Sequence, residues 1–248
     1  MDLYPFLHII LIMILFDEAA HTYTNTETAE RYISVTTLLG KYKTPFDKNK
    51  HSLRVSEREG VSQDFVLEMW EKENKKATDK GTLIHKLMEN YILTGEEVID
   101  NNLLYRSYDE AVSNTIKKFQ KVYSENLLHN KDYKLAGTAD LIYDHGNFFT
   151  IGDFKTNKRF NFSSNFNDHF KEPITHLAYC EFNNYALQMS MYAYMYEKMT
   201  GKKCKEIVVF YLTENKWQPI HCNYLKSDIT NILTHYRCEN SQSFNQLN

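Results

Sequence analysis

Glycine and proline are scarce in this chain, 8 and 4 in 248 residues, against about 7% and 5% in average usage. Such a shortage favours long uninterrupted helices and strands and excludes collagen-like or loop-rich scaffolds. Cysteine is sparse too: Cys180, Cys204, Cys222 and Cys238 are widely spaced and form no C-x-x-C pair. Neither a disulfide framework nor a zinc ribbon is expected, and free thiols in a reducing compartment are. Long hydrophobic runs are also missing. Phe6 to Phe16 is apolar apart from His8, too short to span a bilayer. No Lys or Arg precedes Arg31, so the cationic start of a signal peptide is lacking. The expectation is an intracellular protein whose first residues either form a buried strand or are dispensable, with Met13 as an internal start.

What is present is ordinary globular material. Apolar residues make up 42% and charged residues 25%, enough for a sizeable core and too apolar for a disordered chain. The length suits one large domain, residues 1–248. With 29 Lys and Arg against 32 Asp and Glu the net charge is −3, so a polyanionic partner would have to be met by a local basic surface or a metal.

Hydrophobic spacing gives the elements. A small hairpin, Ala20 to Tyr23 with Arg31 to Val35, leads into Ser34 to Leu39. Helices are expected over Ser62 to Lys76, then, after a Lys-rich break, over Gly81 to Gly95, and a third over Tyr108 to Leu128. The period then changes. Lys134 to Tyr143 and Phe148 to Lys155 read as antiparallel strands joined by Asp144-His145-Gly146-Asn147. An irregular stretch, Asn157 to about Asn183, precedes a helix over Asn184 to Thr200 that Gly201 closes. Strands over Glu206 to Thr213 and Trp217 to Cys222, a helix over Ser227 to Tyr236 and a frayed tail, 239–248, complete an α/β (mixed α+β) order.

Asp153-Phe154-Lys155 is an acid-x-Lys triplet able to hold a divalent metal beside a cation. Alone it means little: composition gives about four such acid-x-base triplets by chance. Context adds weight. With the turn centred on His145 and Gly146, Asp140 would face Ile151 and Asp153 would face Thr138. Asp140, Asp153 and Lys155 would then share one face, with the two acids as diagonal neighbours about 7–8 Å apart. Either that face is exposed and polar, or the acids converge on a hard cation. His85 and Glu89, and likewise Gln188 and Tyr192, are one helical turn apart. Each pair also fits an ordinary amphipathic helix.

Taken in order, Gly81-x-x-x-His85, Gly137-Thr-Ala-Asp140, Asp153-Phe-Lys155-Thr-Asn-Lys158 and Gln188-x-x-x-Tyr192 resemble the PD-(D/E)XK nuclease superfamily in its RecB-like exonuclease branch. That branch includes the RecB and AddAB nuclease domains and CRISPR-associated, mitochondrial and viral exonucleases. Ser34-Val-Thr-Thr also resembles the entry segment of viral members. The resemblance implies a restriction-endonuclease-like central mixed sheet flanked by helices, with the site in a cleft or tunnel. The hydrophobic spacing makes the N-terminal half helical, and a hairpin and helices over 13–80 would precede a nuclease core over 81–238.

The resemblance also implies residue roles. His85, Asp140, Asp153 and the Phe154 carbonyl would ligate Mg²⁺ or Mn²⁺. Lys155 would orient the attacking water, and Gln188 and Tyr192 would position Lys155 or the substrate strand. Lys158 and Arg159 would meet backbone phosphates, while Phe160, Phe162 and Phe166 could stack on bases. Some members of the branch hold an iron-sulfur cluster with a Cys before the His motif. No Cys precedes Cys180 here, so no cluster is expected. The implied activity is a metal-dependent DNA exonuclease of replication, recombination or repair, in the host cytoplasm if viral. Its partners would be DNA with free ends or single-stranded character and replication or recombination proteins, with no membrane. An endonuclease of the same fold and a catalytically silent nucleic-acid-binding protein are the alternatives.

Overall fold

The computed structural model describes residues 14–17, 20, 22–98, 102–115, 121–164, 168–214 and 216–245. Among them, eight strands form one mixed sheet with six α-helices around it. In chain order these are β1 (Ile14–Asp17), β2 (Thr22–Asn25), β3 (Arg31–Ser34), α1 (Val35–Gly40), α2 (Lys48–Glu59), α3 (Gln63–Thr94), α4 (Asn102–Thr115), β4 (Lys121–Asn130), β5 (Leu135–Asp144), β6 (Phe148–Lys155), α5 (Glu181–Thr200), β7 (Lys203–Thr213), β8 (Lys216–Cys222) and α6 (Lys226–Asn245). Among the described residues no helix is long and apolar enough to cross a membrane.

β5 organises the sheet. β4 runs antiparallel along one edge for its whole length, from Lys121 opposite Asp144 to Asn130 opposite Leu135. The other edge is shared. β3 pairs in parallel with Leu135 and Ala136, and β6 pairs antiparallel with Leu141 to Asp144. Gly137 to Asp140 therefore lie at a fork where β3 and β6 part. β6 continues in parallel into β7, and β7 antiparallel into β8.

The inner strands are apolar on both faces, as expected for a sheet covered twice. On one face Leu135, Ala139, Ile142, Phe149, Ile151 and Ile207 pack with α1, α5 and α6 through residues such as Leu38, Leu187, Met195 and Ile232. On the other, Leu141, Tyr143, Phe154, Val208, Phe210 and Trp217 pack with Met88 of α3 and Leu104, Tyr105 and Tyr108 of α4. Side chains of a strand alternate between faces, yet odd-numbered Ala139 joins the first cluster and odd-numbered Leu141 the second. The phase changes at Asp140. At the same level of β4, Glu125 has φ of 47°, and the ladder steps over it from Ser124–Leu141 to Asn126–Ala139.

Several expectations need correction. The Lys-rich stretch after Lys76 does not break a helix, because α3 runs unbroken from Gln63 to Thr94. Glu68–Lys72 and Lys75–Asp79 ion pairs at i,i+4 support it, and the interval contains no proline. Of the expected helix over Tyr108 to Leu128, Tyr108 to Thr115 belongs to α4, Lys121 onward is β4, and residues 116–120 lie outside the described part. There the antiparallel partner β5 overrides a spacing that also suited a helix. The tail is helical as far as Asn245. The first hairpin appears as β2 and β3, joined by β1, with Ile14 buried; residues 1–13 lie outside the described part.

The β5–β6 turn is centred one position later than expected. The His145 N–H donates to the Phe148 carbonyl at 2.8 Å, closing a two-residue turn over Gly146 and Asn147 with Gly146 at φ of 90°. Leu141 consequently faces Gly152. This register brings Asp140 level with Asp153, in place of the expected diagonal.

Candidate active site

The fork in the sheet determines how the acids meet. Past Leu141 and Gly152 the β5–β6 ladder gives way to a side chain: Asp140 Oδ2 accepts the Phe154 backbone N–H at 2.9 Å. A carboxylate thus takes the place of the ladder carbonyl, and the strands open around it. Asp153 is 1% exposed. Burial pushes its carboxyl up to about 6, the neighbouring Asp140 charge adds to that, and Lys155 and His85 pull it back. Two acids so close together with one buried constitute a site for positive charge.

Lys155 supplies part of that charge. Its ammonium is ion-paired with Asp153. Burial works to lower the Lys155 pKa, but the charges of Asp153 and Asp140 outweigh it and the net shift is upward. Lys155 therefore stays protonated. Its Nζ also lies 4.9 Å from the centre of the Tyr185 ring, a cation–π contact. Tyr185 escaped the reading of the sequence, although it sits three and seven residues before Gln188 and Tyr192 on the same face of α5.

α3 brings His85 to the other side of Asp140. His85 Nε2 lies 2.9 Å from the Phe154 carbonyl and Nδ1 lies 3.3 Å from Asp140 Oδ2. A carbonyl can only accept, so Nε2 carries the proton. With the ring cationic Nδ1 donates to the Asp140 carboxylate, and with the ring neutral Nδ1 holds a lone pair there. The Phe154 carbonyl, expected to ligate metal, is here engaged in orienting the imidazole. A ring nitrogen freed by such a bond from its partner nitrogen is the usual arrangement of a histidine ligand.

Gln188 Nε2 donates to the Tyr192 hydroxyl at 3.2 Å. Both line a cleft of about 700 Å³ together with Ser34, Gly81, His85 and Glu125. The Tyr192 ring lies over Gly137, where a Cβ would come within 2.6 Å of it. The motifs around Gly137 and Gln188 are therefore in contact. Gly81 faces the loop after β6, with Thr156 Oγ1 3.4 Å from the position of a Cβ. Lys158 and Arg159 are exposed on that loop, Lys158 Nζ standing 3.9 Å from Glu73 of α3. Phe160 packs against Phe162, Tyr185 and Tyr211 with ring centres 5.0–5.5 Å apart, and Phe162 is 62% exposed. Phe166 lies outside the described residues. Glu89 lines the same cleft.

The donor set suits a hard divalent cation. His85, Glu125 and Asp140 each offer a ligand atom within 4.8 Å of the other two, and one imidazole among carboxylates matches Mg²⁺ or Mn²⁺. Glu125 was missed because its segment read as helix. The four cysteines are free thiols.

No protein-family model matches this chain, and no curated protein does. Among solved structures, SSO0001 is similar with a TM-score of 0.38 and 12% identity, over 86% of this chain and 78% of its own. A protein from Eubacterium rectale named "Putative exonuclease" is similar with a TM-score of 0.34 and 13% identity, over 82% and 77%. The class defined by the described residues is a mixed α/β fold with an eight-stranded sheet and a buried acid–lysine centre at its fork.

Proposed function

We propose that this chain is a divalent-metal-dependent DNA exonuclease of the PD-(D/E)XK type. The observation that carries the reading is the convergence of Asp140, Asp153, Lys155 and His85, from two strands and a helix, at the fork of the sheet. Residues on elements far apart in sequence meet there, which supports the reading.

Asp140, Asp153 and His85 would hold the cation, which when bound lowers the pKa of water and neutralises charge on a phosphate. Lys155, protonated and fixed between Asp153 and Tyr185, orients a water by hydrogen bonding and opposes the negative charge that grows on the phosphoryl oxygens. Gln188 and Tyr192 form the wall of the cleft along which the strand runs. Lys158 and Arg159 meet the phosphates further out. The rings from Tyr185 through Phe160 to exposed Phe162 offer stacking surfaces to unpaired bases, which favours a substrate with single-stranded character.

The test is cleavage of 5′- and 3′-labelled linear single- and double-stranded DNA and of closed circles, with Mg²⁺, Mn²⁺ or EDTA, against an Asp153→Asn control. Metal-dependent erosion of linear ends with circles spared is the expected result and gives the polarity. Cut circles would mean an endonuclease. No cutting beyond the control would refute the enzyme reading and favour a silent binding protein.

A further inference from the structure

The acid–lysine centre has a neighbour that none of the four motifs contains. Glu125 of β4 stands at the level of Asp140, where the β4–β5 ladder steps over both residues. Its side chain is exposed to the cleft, unlike the buried Asp153. Its carboxylate, an Asp140 oxygen and a His85 ring nitrogen lie within 4.8 Å of one another. His85 settles which nitrogen is available, since the Nε2 proton goes to the Phe154 carbonyl and Nδ1 is left beside Asp140. Three lone-pair donors from α3, β4 and β5 thus face one another on the open side of the site.

From this arrangement we infer that Glu125 is a protein ligand of the divalent cation, completing a three-element set with His85 Nδ1 and Asp140. The inference rests on the metal-dependent reading above and adds to it a ligand delivered by a strand outside the acid-x-Lys hairpin. Asp153 is already ion-paired with Lys155. A further carboxylate from the protein raises affinity by adding negative charge at the site, and Glu125 stands exposed at the cleft from which a cation would enter.

The test is Mn²⁺ titration of the full chain followed by the loss of the free-ion EPR signal, a readout independent of turnover. Wild type, Glu125→Gln, Asp140→Asn and the exposed-surface control Glu110→Gln are compared, each first checked for an unchanged melting temperature without metal. Glu125→Gly, which tolerates the positive φ, replaces the Gln variant if that one folds poorly. The expected result is about 10- to 100-fold weaker Mn²⁺ binding for Glu125→Gln, greater loss for Asp140→Asn and none for Glu110→Gln. Wild-type affinity in Glu125→Gln alongside loss in Asp140→Asn would overturn the assignment of Glu125 and leave the metal site standing. Absence of Mn²⁺ binding by the wild type, or full affinity in Asp140→Asn, would overturn both.

Discussion

Replacing Gly137 by alanine should damage the protein far more than the same change at Gly40. A Cβ at position 137 would lie 2.6 Å from Tyr192 Cε1 and 3.2 Å from Val35 Cγ2, whereas at position 40 it would meet nothing within 4 Å. Tyr192 is 4% exposed and tied through its hydroxyl to Gln188, so its ring cannot swing aside freely. Overpacking of this kind costs about 1–3 kcal/mol. In a chain of this length that corresponds to a drop of about 2–12 °C in melting temperature. Gly40→Ala, by contrast, restricts the unfolded chain and should be neutral or stabilising by up to about 1 kcal/mol. Thermal unfolding of both variants, repeated in a Tyr192→Leu background, checks the cause. The Gly137→Ala penalty should shrink by about 1 kcal/mol or more once the ring is gone. An unchanged melting temperature for Gly137→Ala, or the same penalty in both backgrounds, would refute the argument that the glycine exists to seat Tyr192.

Asp153→Asn and Lys155→Ala should each reduce cleavage at least about 100-fold while DNA binding by gel shift stays within a few-fold of wild type; wild-type turnover by either variant would remove them from the site. Asp144 is held below the usual carboxylate range: burial opposes the shift, but Lys202 and the Gly146 N–H, 2.8 Å from Oδ1, overcome it. Because its folded pKa is depressed, its stabilisation is present above the unfolded value near 3.8 and fades as pH falls below it. Asp144→Asn should therefore cost about 1–2 kcal/mol at pH 7, measured from urea midpoints, with the gap to wild type holding down to the unfolded value near 3.8 and narrowing as pH falls further below it. A gap that is constant across that range would contradict the ion-pair and turn-capping role.

Much of the site was legible because its chemistry lies on short local patterns. Asp140, Asp153 and Lys155 fall on one hairpin, and shifting the turn by one position in register left their parity, and hence their convergence, intact. The register itself was ambiguous because Asp144-His145-Gly146-Asn147 offers two centres, and only the His145–Phe148 bond chooses between them. α5 and its Gly201 cap were clear from periodicity and composition, α5 starting three residues before the expected Asn184. Glu125 and the strand that carries it were not. Val122, Tyr123, Leu127 and Leu128 satisfy a helical spacing as well as an extended one, and the choice is made by β5, which follows in the chain. The unbroken α3 was hidden for a different reason. Glu71 to Lys80 is exposed on every face, so no apolar stripe marks it, and its continuity depends on helix-forming side chains and surface ion pairs.

That same exposed stretch gives the molecule a mechanical property. His85 rides on a rod whose start, at Gln63, is 22 residues away, about 33 Å along the axis at 1.5 Å per residue. Turning such a rod by about 2° about His85 displaces its far end by about 1 Å. The junction of α2 and α3 is thus a long handle on the imidazole. With the pivot at His85, a push of about 1 Å at that junction reaches the imidazole as a turn of about 2° and not as a translation.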